Sequence, residues 1–401
     1  MTKIGIIKEG KIPVDKRVPV TPEQAKHIAQ NFDVNIVVQS SDIRCFPDED
    51  YQNLGIEVVE SLEDCDIILG VKEVPIEKLM PAKTHFFFSH TIKKQDYNQD
   101  LIRAILDKNI RLIDWETLTN ETGNRVIAFG RWAGIVGAYN GILSYGKRYN
   151  LFDIRAAHEC FDLHDLKKEF SKIQLPPIKI AITGGGRVAK GAMEVLNGIG
   201  IRKVSPHDYV HERFNEPVFT QLNSRDYNKR IDGEEFNKSE FHKHPDQFEG
   251  SFLKFAKVTD LLVASAFWDP AAPVLFQRED ATKDNFQIRV IADITCDIEG
   301  SIPSTKKPST IDDPVYDYDP SADAVEQAYS DEGNITVMAV DNLPCELPRD
   351  ASESFGNQLI ENVLPHLLGE DELNIIKNAT ITENGILTDR YKYLQDYVDG
   401  T

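Results

Sequence analysis

Four segments of the N-terminal third carry side chains suited to proton transfer and to binding carboxylates. Lys72 and His90 each follow a short apolar run with the pattern of a strand. Open α/β sheets bind ligands at the carboxyl ends of their strands, so these two residues are the first candidates for acid–base chemistry. The same segments hold further charged candidates, namely Lys11, Asp15, Arg17, Glu73, Glu116 and Arg125.

A different kind of motif stands in the middle of the chain, where the apolar run Ile178–Thr183 leads into Gly184-Gly-Gly186-Arg-Val-Ala189. Between a strand and a helix, the spacing Gly-x-Gly-x-x-Ala is a dinucleotide-binding fingerprint. Gly184 permits the tight turn, Gly186 lets a pyrophosphate approach the backbone, and Ala189 lets helix and strand pack closely. The start of the helix then holds the anion.

Two sets of residues near this motif point to different coenzymes. Asp208 stands about 20 residues further on, where a carboxylate bonds the ribose of NAD and repels the 2′-phosphate of NADP. Arg187, Arg213 and His207 are cationic groups that suit a phosphate instead. The expected cofactor is NAD, and NADP remains the alternative.

The elements that position these residues alternate between apolar runs and helical patterns, which predicts an α/β protein with two Rossmann-like domains, parallel sheets and a cleft between them. The first domain is expected over 1–137 plus 342–401, and the dinucleotide-binding domain over 138–341 with an insertion at about 209–257. Predicted strands of the first domain are Lys3–Ile7, Val34–Gln39, Ile67–Val71, His85–Ser89 and Arg125–Phe129. A glycine-containing helix is predicted over Trp132–Tyr149, packed closely against another element.

Composition narrows the class of protein. The formal net charge of −20 argues against nucleic-acid binding, and no apolar run is long enough to span a bilayer. The N-terminus has no signal-peptide pattern, and five scattered cysteines predict no disulfide framework. We therefore expect a cytoplasmic protein that binds small molecules. No metal site is expected, because the His242 and His244 pair has no evident third ligand.

The chain resembles the alanine dehydrogenase and transhydrogenase superfamily, and within it the saccharopine-forming branch. The resemblance to lysine–2-oxoglutarate reductases extends along nearly the whole chain. It is carried by Ile68–Lys72, Phe87–Lys93, Ile110–Asp114, Ala128–Gly134 and Val340–Pro344. One departure concerns the glycine loop, whose Arg187 is closer to the fungal NAD-dependent enzyme, so the resemblance does not decide the coenzyme.

The resemblance implies roles for the candidate residues. Lys72 and His90 match the paired acid–base groups of the family, and Arg17 and Arg125 match its carboxylate-binding arginines. Lys11, Asp15, Glu73 and Glu116 are matched neighbours of the substrates, which would be lysine, 2-oxoglutarate and saccharopine. Asp341 falls where the family approaches the nicotinamide. Asp297 matches, less closely, the aspartate of the alanine dehydrogenase site.

The chemistry of that branch agrees with this set of side chains. Joining an amine to a 2-oxo acid requires a deprotonated amine, proton transfer through a carbinolamine, loss of water and reduction of an imine. A histidine and a partly desolvated lysine supply the two proton-transfer groups, and arginines bind the carboxylates. An alanine dehydrogenase, which needs one carboxylate clamp, and a non-catalytic coenzyme-binding module of the transhydrogenase kind are the alternatives.

Overall fold

The computed structural model describes residues 1–400, which divide into two compact units. The first unit combines Met1–Phe129 with the C-terminal segment that begins at Pro348, and the second is Gly130–Leu347.

Strands and helices alternate through most of the chain. The strands of the described residues are β1 (Thr2–Ile6), β2 (Val34–Gln39), β3 (Glu57–Val59), β4 (Ile67–Leu69), β5 (Thr84–Phe87), β6 (Arg111–Asp114), β7 (Lys179–Thr183), β8 (Arg202–Lys203), β9 (Val218–Leu222), β10 (Asn228–Arg230), β11 (Phe248–Gly250), β12 (Leu261–Ala264), β13 (Val290–Asp293), β14 (Val315–Asp319), β15 (Ala324–Glu326), β16 (Ile335–Met338), β17 (Thr380–Glu383) and β18 (Ile386–Leu387). The α-helices are α1 (Pro22–Asn31), α2 (Asp48–Gln52), α3 (Gln99–Asp107), α4 (Gly130–Arg148), α5 (Leu163–Lys167), α6 (Arg187–Ile199), α7 (Pro206–His211), α8 (Ser224–Tyr227), α9 (Lys238–Lys243), α10 (Leu253–Ala256), α11 (Arg278–Ala281), α12 (Pro348–Asn362), α13 (Leu364–Leu368), α14 (Ile375–Ala379) and α15 (Gln395–Asp399). Short 3-10 helices lie at Ile76–Lys78, Thr91–Lys93, Asp96–Asn98, Trp115–Thr117, Ala157–Glu159, Lys168–Lys172, Pro245–Gln247, Leu343–Glu346 and Asp389–Leu394.

The sheet of the first unit has the order β18-β17-β6-β5-β4-β1-β2-β3. The strands from β6 to β3 are parallel, and β17 and β18 extend the sheet as an antiparallel edge. Helix α12 covers one face, where Phe355 packs on Trp115 with ring centroids 5.1 Å apart. The C-terminal segment therefore completes the core of the first unit.

One predicted strand of this unit is wrong. Residues 125–129 form no strand, and only Arg125 makes an isolated bridge, to Thr119. The backbone N–H of Ala128 donates to the side chain of Gln358 on α12, so side-chain hydrogen bonds take the place of a strand partner there. The strand that lies next to β5 is β6, whose Leu112 and Ile113 are fully buried.

The sheet of the second unit has the order β15-β14-β16-β13-β12-β7-β9-β8. Its strands from β16 to β8 are parallel, and β14 and β15 are antiparallel. Both units thus have a large, mostly parallel sheet with an antiparallel edge, a common arrangement in α/β proteins. The prediction of an α/β fold with two Rossmann-like domains is confirmed.

The segment 209–257 differs from the expectation of an insertion with its own helices. Its strand β9 pairs in parallel with β7 along its whole length and belongs to the main sheet. The remainder holds short helices and the two-stranded antiparallel sheet of β10 and β11. Strand β9 is only five residues long, includes Thr220 and Gln221, and lies between polar stretches, so its sequence does not indicate a strand of the main sheet.

Glycines bring α4 against α6 within the second unit, as the helical glycine pattern predicted. A Cβ atom on Gly134 would lie 1.9 Å from the carbonyl oxygen of Val188, and one on Gly191 would lie 2.1 Å from that of Arg131. Neither position tolerates a side chain without backbone movement. This contact fixes the start of α6, which is also the end of the glycine turn.

Candidate active site

Four neighbouring parallel strands of the first unit direct the candidate residues to one edge of its sheet. In the order β6, β5, β4 and β1, these strands are followed by Glu116, His90, Lys72 and Lys11. The carboxyl ends of adjacent parallel strands lie side by side, which explains how residues far apart in sequence meet. The structure brings these four predicted residues together.

The carboxylate of Glu73 is the centre of this group. One oxygen, Oε1, lies 2.6 Å from Nδ1 of His90, and the other, Oε2, accepts a hydrogen bond of 2.6 Å from the Nζ of Lys11. Burial alone would raise the pKa of Glu73, but the hydrogen bonds from His90 and Lys11 outweigh it and lower the pKa to about 2. Glu73 is therefore an anion over the whole physiological pH range.

Lys72 lies in an environment that disfavours its charged form. Burial is the main cause of a lowered Lys72 pKa, and the nearby positive charges of Arg17 and Lys11 act in the same direction, whereas the Asp15 and Glu73 carboxylates oppose them. A lysine whose pKa is lowered by burial releases its proton more readily than an exposed lysine, as a proton-transfer group must.

A buried carboxyl group, Glu9, supports the backbone at Lys72. Its two oxygens accept hydrogen bonds from the backbone N–H groups of Val71, at 2.6 Å, and Lys72, at 2.9 Å. Burial, together with the neighbouring charge of Asp15, raises the pKa of Glu9 to about 8. Sequence reasoning did not select Glu9. Its place directly after the first predicted strand was the available signal.

Arg17 is held inside the protein. Its guanidinium donates to both oxygens of Asp15, at 3.0 and 2.6 Å, and its Cζ lies 4.2 Å from the centroid of the Phe129 ring. Only 3% of Arg17 is exposed. Two of the predicted substrate-binding residues, Asp15 and Arg17, thus form a buried ion pair beside Lys72.

Arg125 differs from Arg17 in its exposure, since 47% of its side chain is accessible. It forms an ion pair of 2.5 Å with Glu116, whose other oxygen lies 3.6 Å from the Nζ of Lys93. Burial alone would raise the pKa of Glu116, but the charges of Arg125, Lys93 and His90 lower it. Two accessible cations, Arg125 and Lys93, thus share the carboxylate of Glu116.

The backbone of His90 adopts a left-handed conformation, with φ of +54°. A residue with a side chain rarely adopts this conformation, and such positions cluster at functional sites. Just before it, the backbone N–H and hydroxyl of Ser89 both donate to the buried carboxyl of Asp114, at 2.8 and 2.5 Å. Asp114, another residue that the sequence reasoning did not select, thus anchors the turn that carries His90.

The coenzyme motif of the second unit lies at the carboxyl end of β7. Gly184 has φ of +97°, and a Cβ atom there would lie 3.1 Å from the backbone of Ala266. A Cβ atom on Gly186 would have no neighbour within 4 Å, so the space above it is open, while Ala189 is fully buried between helix and sheet. Gly186 caps the 13-residue helix α6, whose first residue is Arg187. These residues fit a dinucleotide pyrophosphate.

Asp297 and Asp341 follow β13 and β16, the strands that continue the sheet beyond β12. Both residues are exposed. The loop after β13 is held by Asp293, which accepts hydrogen bonds from the hydroxyls of Thr295 and Thr305, at 2.6 and 2.7 Å. Both predicted aspartates therefore lie at the same edge of the sheet as the glycine turn.

Asp208 lies further from that turn than its spacing suggested. It is an exposed residue of α7, which follows the edge strand β8, and β9 lies between β8 and β7. Its backbone N–H donates a hydrogen bond of 3.0 Å to the hydroxyl of Ser205, which caps α7. Gln221 and Asn223, at the end of β9, contact the glycine turn, as does Ala266. Strand β9 was not predicted, and the strand order gives no support to Asp208 as the residue that binds the ribose.

Family models match both units of the chain. A model described as "Alanine dehydrogenase/PNT, N-terminal domain" matches residues 5–136, and "Alanine dehydrogenase/PNT, C-terminal domain" matches residues 168–396. The chain belongs to the alanine dehydrogenase/PNT family.

Relatives and solved structures agree with this assignment. The chain is 31% identical over 430 residues to the mitochondrial alpha-aminoadipic semialdehyde synthase of Mus musculus, with 95% of this chain and 46% of the relative covered. It therefore spans about half the length of that relative. Against the saccharopine dehydrogenase (NAD(+), L-lysine-forming) of Yarrowia lipolytica, identity is 24% over 371 residues, covering 88% of this chain and 89% of the relative. An L-alanine dehydrogenase structure, 16% identical, has a TM-score of 0.66 and covers 100% of this chain and 99% of its own, which shows a shared fold.

Within residues 1–400, none of the helices is both long and apolar enough to cross a lipid bilayer.

Proposed function

We propose that this protein catalyses the reversible joining of L-lysine to 2-oxoglutarate, with oxidation of a reduced nicotinamide coenzyme, to form saccharopine. The observation that carries the proposal is the arrangement around Glu73. This anion bonds His90 and Lys11 and lies next to Lys72, a half-buried lysine with a lowered pKa. The name of the Yarrowia relative, an L-lysine-forming saccharopine dehydrogenase, supports the same chemistry.

His90 is proposed as one proton-transfer group. Because the Glu73 carboxylate is only an acceptor, the hydrogen bond at Nδ1 holds a proton on that nitrogen. The other ring nitrogen, Nε2, is then free to accept a proton from the attacking amine or to return one to the carbinolamine oxygen as water leaves.

Lys72 is proposed as the second proton-transfer group. Joining the two substrates requires one proton to leave the amine of lysine and another to reach the departing hydroxyl. A neutral Lys72 amine, favoured by burial and by the charge of Arg17, accepts the first of these. His90 and Lys72 thus divide the proton transfers between two bases of different kinds.

Charged neighbours are proposed to bind the substrate carboxylates. Arg125 is exposed at the rim and is the side chain best placed to bind a carboxylate of 2-oxoglutarate. Glu116 orients Arg125, and Lys11 adds a second accessible cation. Arg17, paired with Asp15, is proposed to act mainly through its positive charge near Lys72.

The second unit is proposed to hold the coenzyme, through Gly184, Gly186, Arg187 and Ala189, with Asp297 and Asp341 towards the nicotinamide. A bound nicotinamide would supply the hydride that reduces the imine. The predicted division of labour, with substrates on the first unit and coenzyme on the second, belongs to this proposal.

A substrate panel tests the proposal directly. NADH or NADPH oxidation is followed at 340 nm with 2-oxoglutarate alone, with 2-oxoglutarate and lysine, and with pyruvate and ammonia, and the product is identified by mass spectrometry. Lysine-dependent oxidation with formation of saccharopine is the expected result. Oxidation with pyruvate and ammonia, and none that requires lysine, would instead identify an alanine dehydrogenase.

A further inference from the structure

The residues at the end of β9 occupy the position from which Rossmann folds recognise the adenosine ribose. Strand β9 is the direct neighbour of β7, and the side chains that follow it touch the glycine turn. Gln221 donates a hydrogen bond of 3.0 Å to the carbonyl of Gly184, and a Cβ atom on Gly185 would lie 2.7 Å from Oδ1 of Asn223. An NAD-specific site has an Asp or Glu at this position.

In this chain the position is an amide, and the next two residues are Ser224 and Arg225. Arg225 is exposed, and within residues 1–400 it forms no ion pair. The nearest carboxylate in the sequence, Asp226, accepts a hydrogen bond of 2.7 Å from the backbone N–H of Asn223 and closes a capping box there. The Asp226 carboxylate thus bonds the backbone of the same turn.

A lysine lies beside the turn. The Nζ of Lys203, on β8, donates a hydrogen bond of 2.9 Å to Gln221, which itself bonds Gly184. Two exposed arginines are close to the turn in the chain, since Arg187 directly follows Gly186 and Arg225 comes two residues after Asn223. A positive field of this kind favours a ligand that carries an extra phosphate.

An aromatic cavity of about 110 Å³ lies beside the same residues. Its lining includes Ser224, Thr183 at the end of β7, and Phe267 and Trp268 after β12, with Phe241 from the polar segment 209–257. Aromatic walls at this edge of the sheet suit a flat base. The segment 209–257 therefore contributes to the side of the turn where the adenosine half of a dinucleotide is expected.

We propose that the side chains of Ser224 and Arg225 bind the 2′-phosphate of NADP, so that the enzyme discriminates in favour of NADPH over NADH. The inference rests on the proposed use of a nicotinamide coenzyme, and it replaces Asp208 by Arg225 as the residue that determines the choice. A guanidinium can donate two hydrogen bonds to a phosphate, and a serine hydroxyl can donate a third.

Calorimetric titration tests this assignment without the reaction. The probes are adenosine 2′,5′-bisphosphate and 5′-AMP, which differ by the 2′-phosphate. The wild-type protein is expected to bind the bisphosphate about 10-fold or more tightly, and Arg225→Ala should remove that preference while leaving the Kd for 5′-AMP unchanged. Arg225→Lys should retain part of it, and Ser224→Ala should lower it by a smaller factor.

Two controls make the outcome decisive. Asp208→Ser is expected to change neither affinity, and Phe241→Ala should weaken both nucleotides equally, because it alters a wall of the cavity and not the phosphate contact. Equal binding of the two probes by the wild-type protein, or a preference that survives Arg225→Ala, would overturn the assignment. Binding with the expected preference in a protein that lacks lysine-dependent activity would refute only the proposed reaction, whereas no binding of either probe would refute both.

Discussion

The Nδ1 atom of His90 and the Oε1 atom of Glu73 are 2.6 Å apart, although the two residues follow different strands of the sheet. The same carboxylate holds Lys11 through its second oxygen. The Glu73 carboxylate thus orients the histidine and, together with Asp15, contributes negative charge near Lys72. The first predictions concern this relationship.

Glu73→Gln is expected to shift the pH profile of the reaction. The Glu73 charge raises the pKa of Lys72, against burial, which lowers it. Removing that charge should lower the Lys72 pKa further, so the limb of the kcat/KM profile that reports Lys72 should move to lower pH. Glu73→Asp should return this limb of the profile close to its wild-type pH. Glu77→Gln changes an exposed carboxylate four residues away and should leave the limb unchanged. A profile unchanged in Glu73→Gln would contradict this coupling.

Lys72→Met and His90→Gln should each lower turnover, by about 10²–10⁴-fold if the groups transfer protons. Coenzyme affinity should stay within about two-fold, because the glycine turn belongs to the other unit. Steady-state kinetics at saturating substrates and a coenzyme titration measure the two effects separately. Lys377→Met, which changes an exposed lysine of the first unit, serves as the control. Near-native turnover in both variants would remove Lys72 and His90 from the mechanism.

Glu9→Gln should change how stability depends on pH. Burial raises the pKa of Glu9 from 4.5 to about 8, so between these values the folded protein keeps a proton that the unfolded chain has lost. The contribution of Glu9 to the free energy of unfolding is therefore greatest below pH 4.5 and decreases as the pH rises to about 8. Glutamine cannot ionise. The free energy of unfolding of the variant, relative to that of the wild type, should therefore increase with pH, by at most about 1.4 kcal/mol per pH unit.

Chemical unfolding of wild type and Glu9→Gln at several pH values between 5 and 8.5 measures this difference. Glu23→Gln, at an exposed position on α1, is the matched control and should show a flat difference. Parallel stability curves for wild type and Glu9→Gln would mean that Glu9 is ionised in the folded protein.

Replacing Arg125 should affect substrate binding, whereas replacing Arg17 should affect the stability of the fold. Arg125→Ala removes an exposed side chain, so it should raise the KM for 2-oxoglutarate about 10-fold or more and change the free energy of unfolding by no more than about 0.5 kcal/mol. Arg17→Ala leaves the buried Asp15 carboxylate without its partner and should cost about 3–5 kcal/mol. Kinetics and urea unfolding of both variants measure the contrast. A reversed pattern would assign the substrate contact to Arg17.

Two glycines of the second unit should also respond differently to alanine. Gly134→Ala places a Cβ atom 1.9 Å from the carbonyl of Val188 and should destabilise the protein by about 3 kcal/mol or more. Gly186→Ala meets no atom within 4 Å, so it should fold normally but bind coenzyme more weakly, because the methyl group occupies the space that a pyrophosphate would approach. Unfolding and coenzyme titrations distinguish the two. Equal loss of stability in both would contradict the packing argument.

Much of this protein is determined locally, and the sequence alone was sufficient for those parts. The turn from Gly184 to Ala189 is specified by the residues within it, because a left-handed glycine and a small helix residue are needed wherever that turn occurs. The capping box of Thr21 and Gln24 at the start of α1 is likewise formed by residues three positions apart. The positions of Lys72 and His90 after strands also followed from apolar runs, since strand ends can be identified from patterning.

Strand order and the contacts it creates were decided only by the tertiary structure. No local pattern states that β9, and not β8, pairs with β7, so spacing selected Asp208 while Asn223 and Arg225 follow the neighbouring strand. The same holds for Glu73, whose partners Lys11 and His90 lie 62 and 17 residues away. Hydrogen bonds across such separations require the assembled sheet, and the burial that the sheet creates lowers the pKa of Lys72 and raises that of Glu9. Residue types identify the chemistry available, but the order of the strands decides which side chains meet.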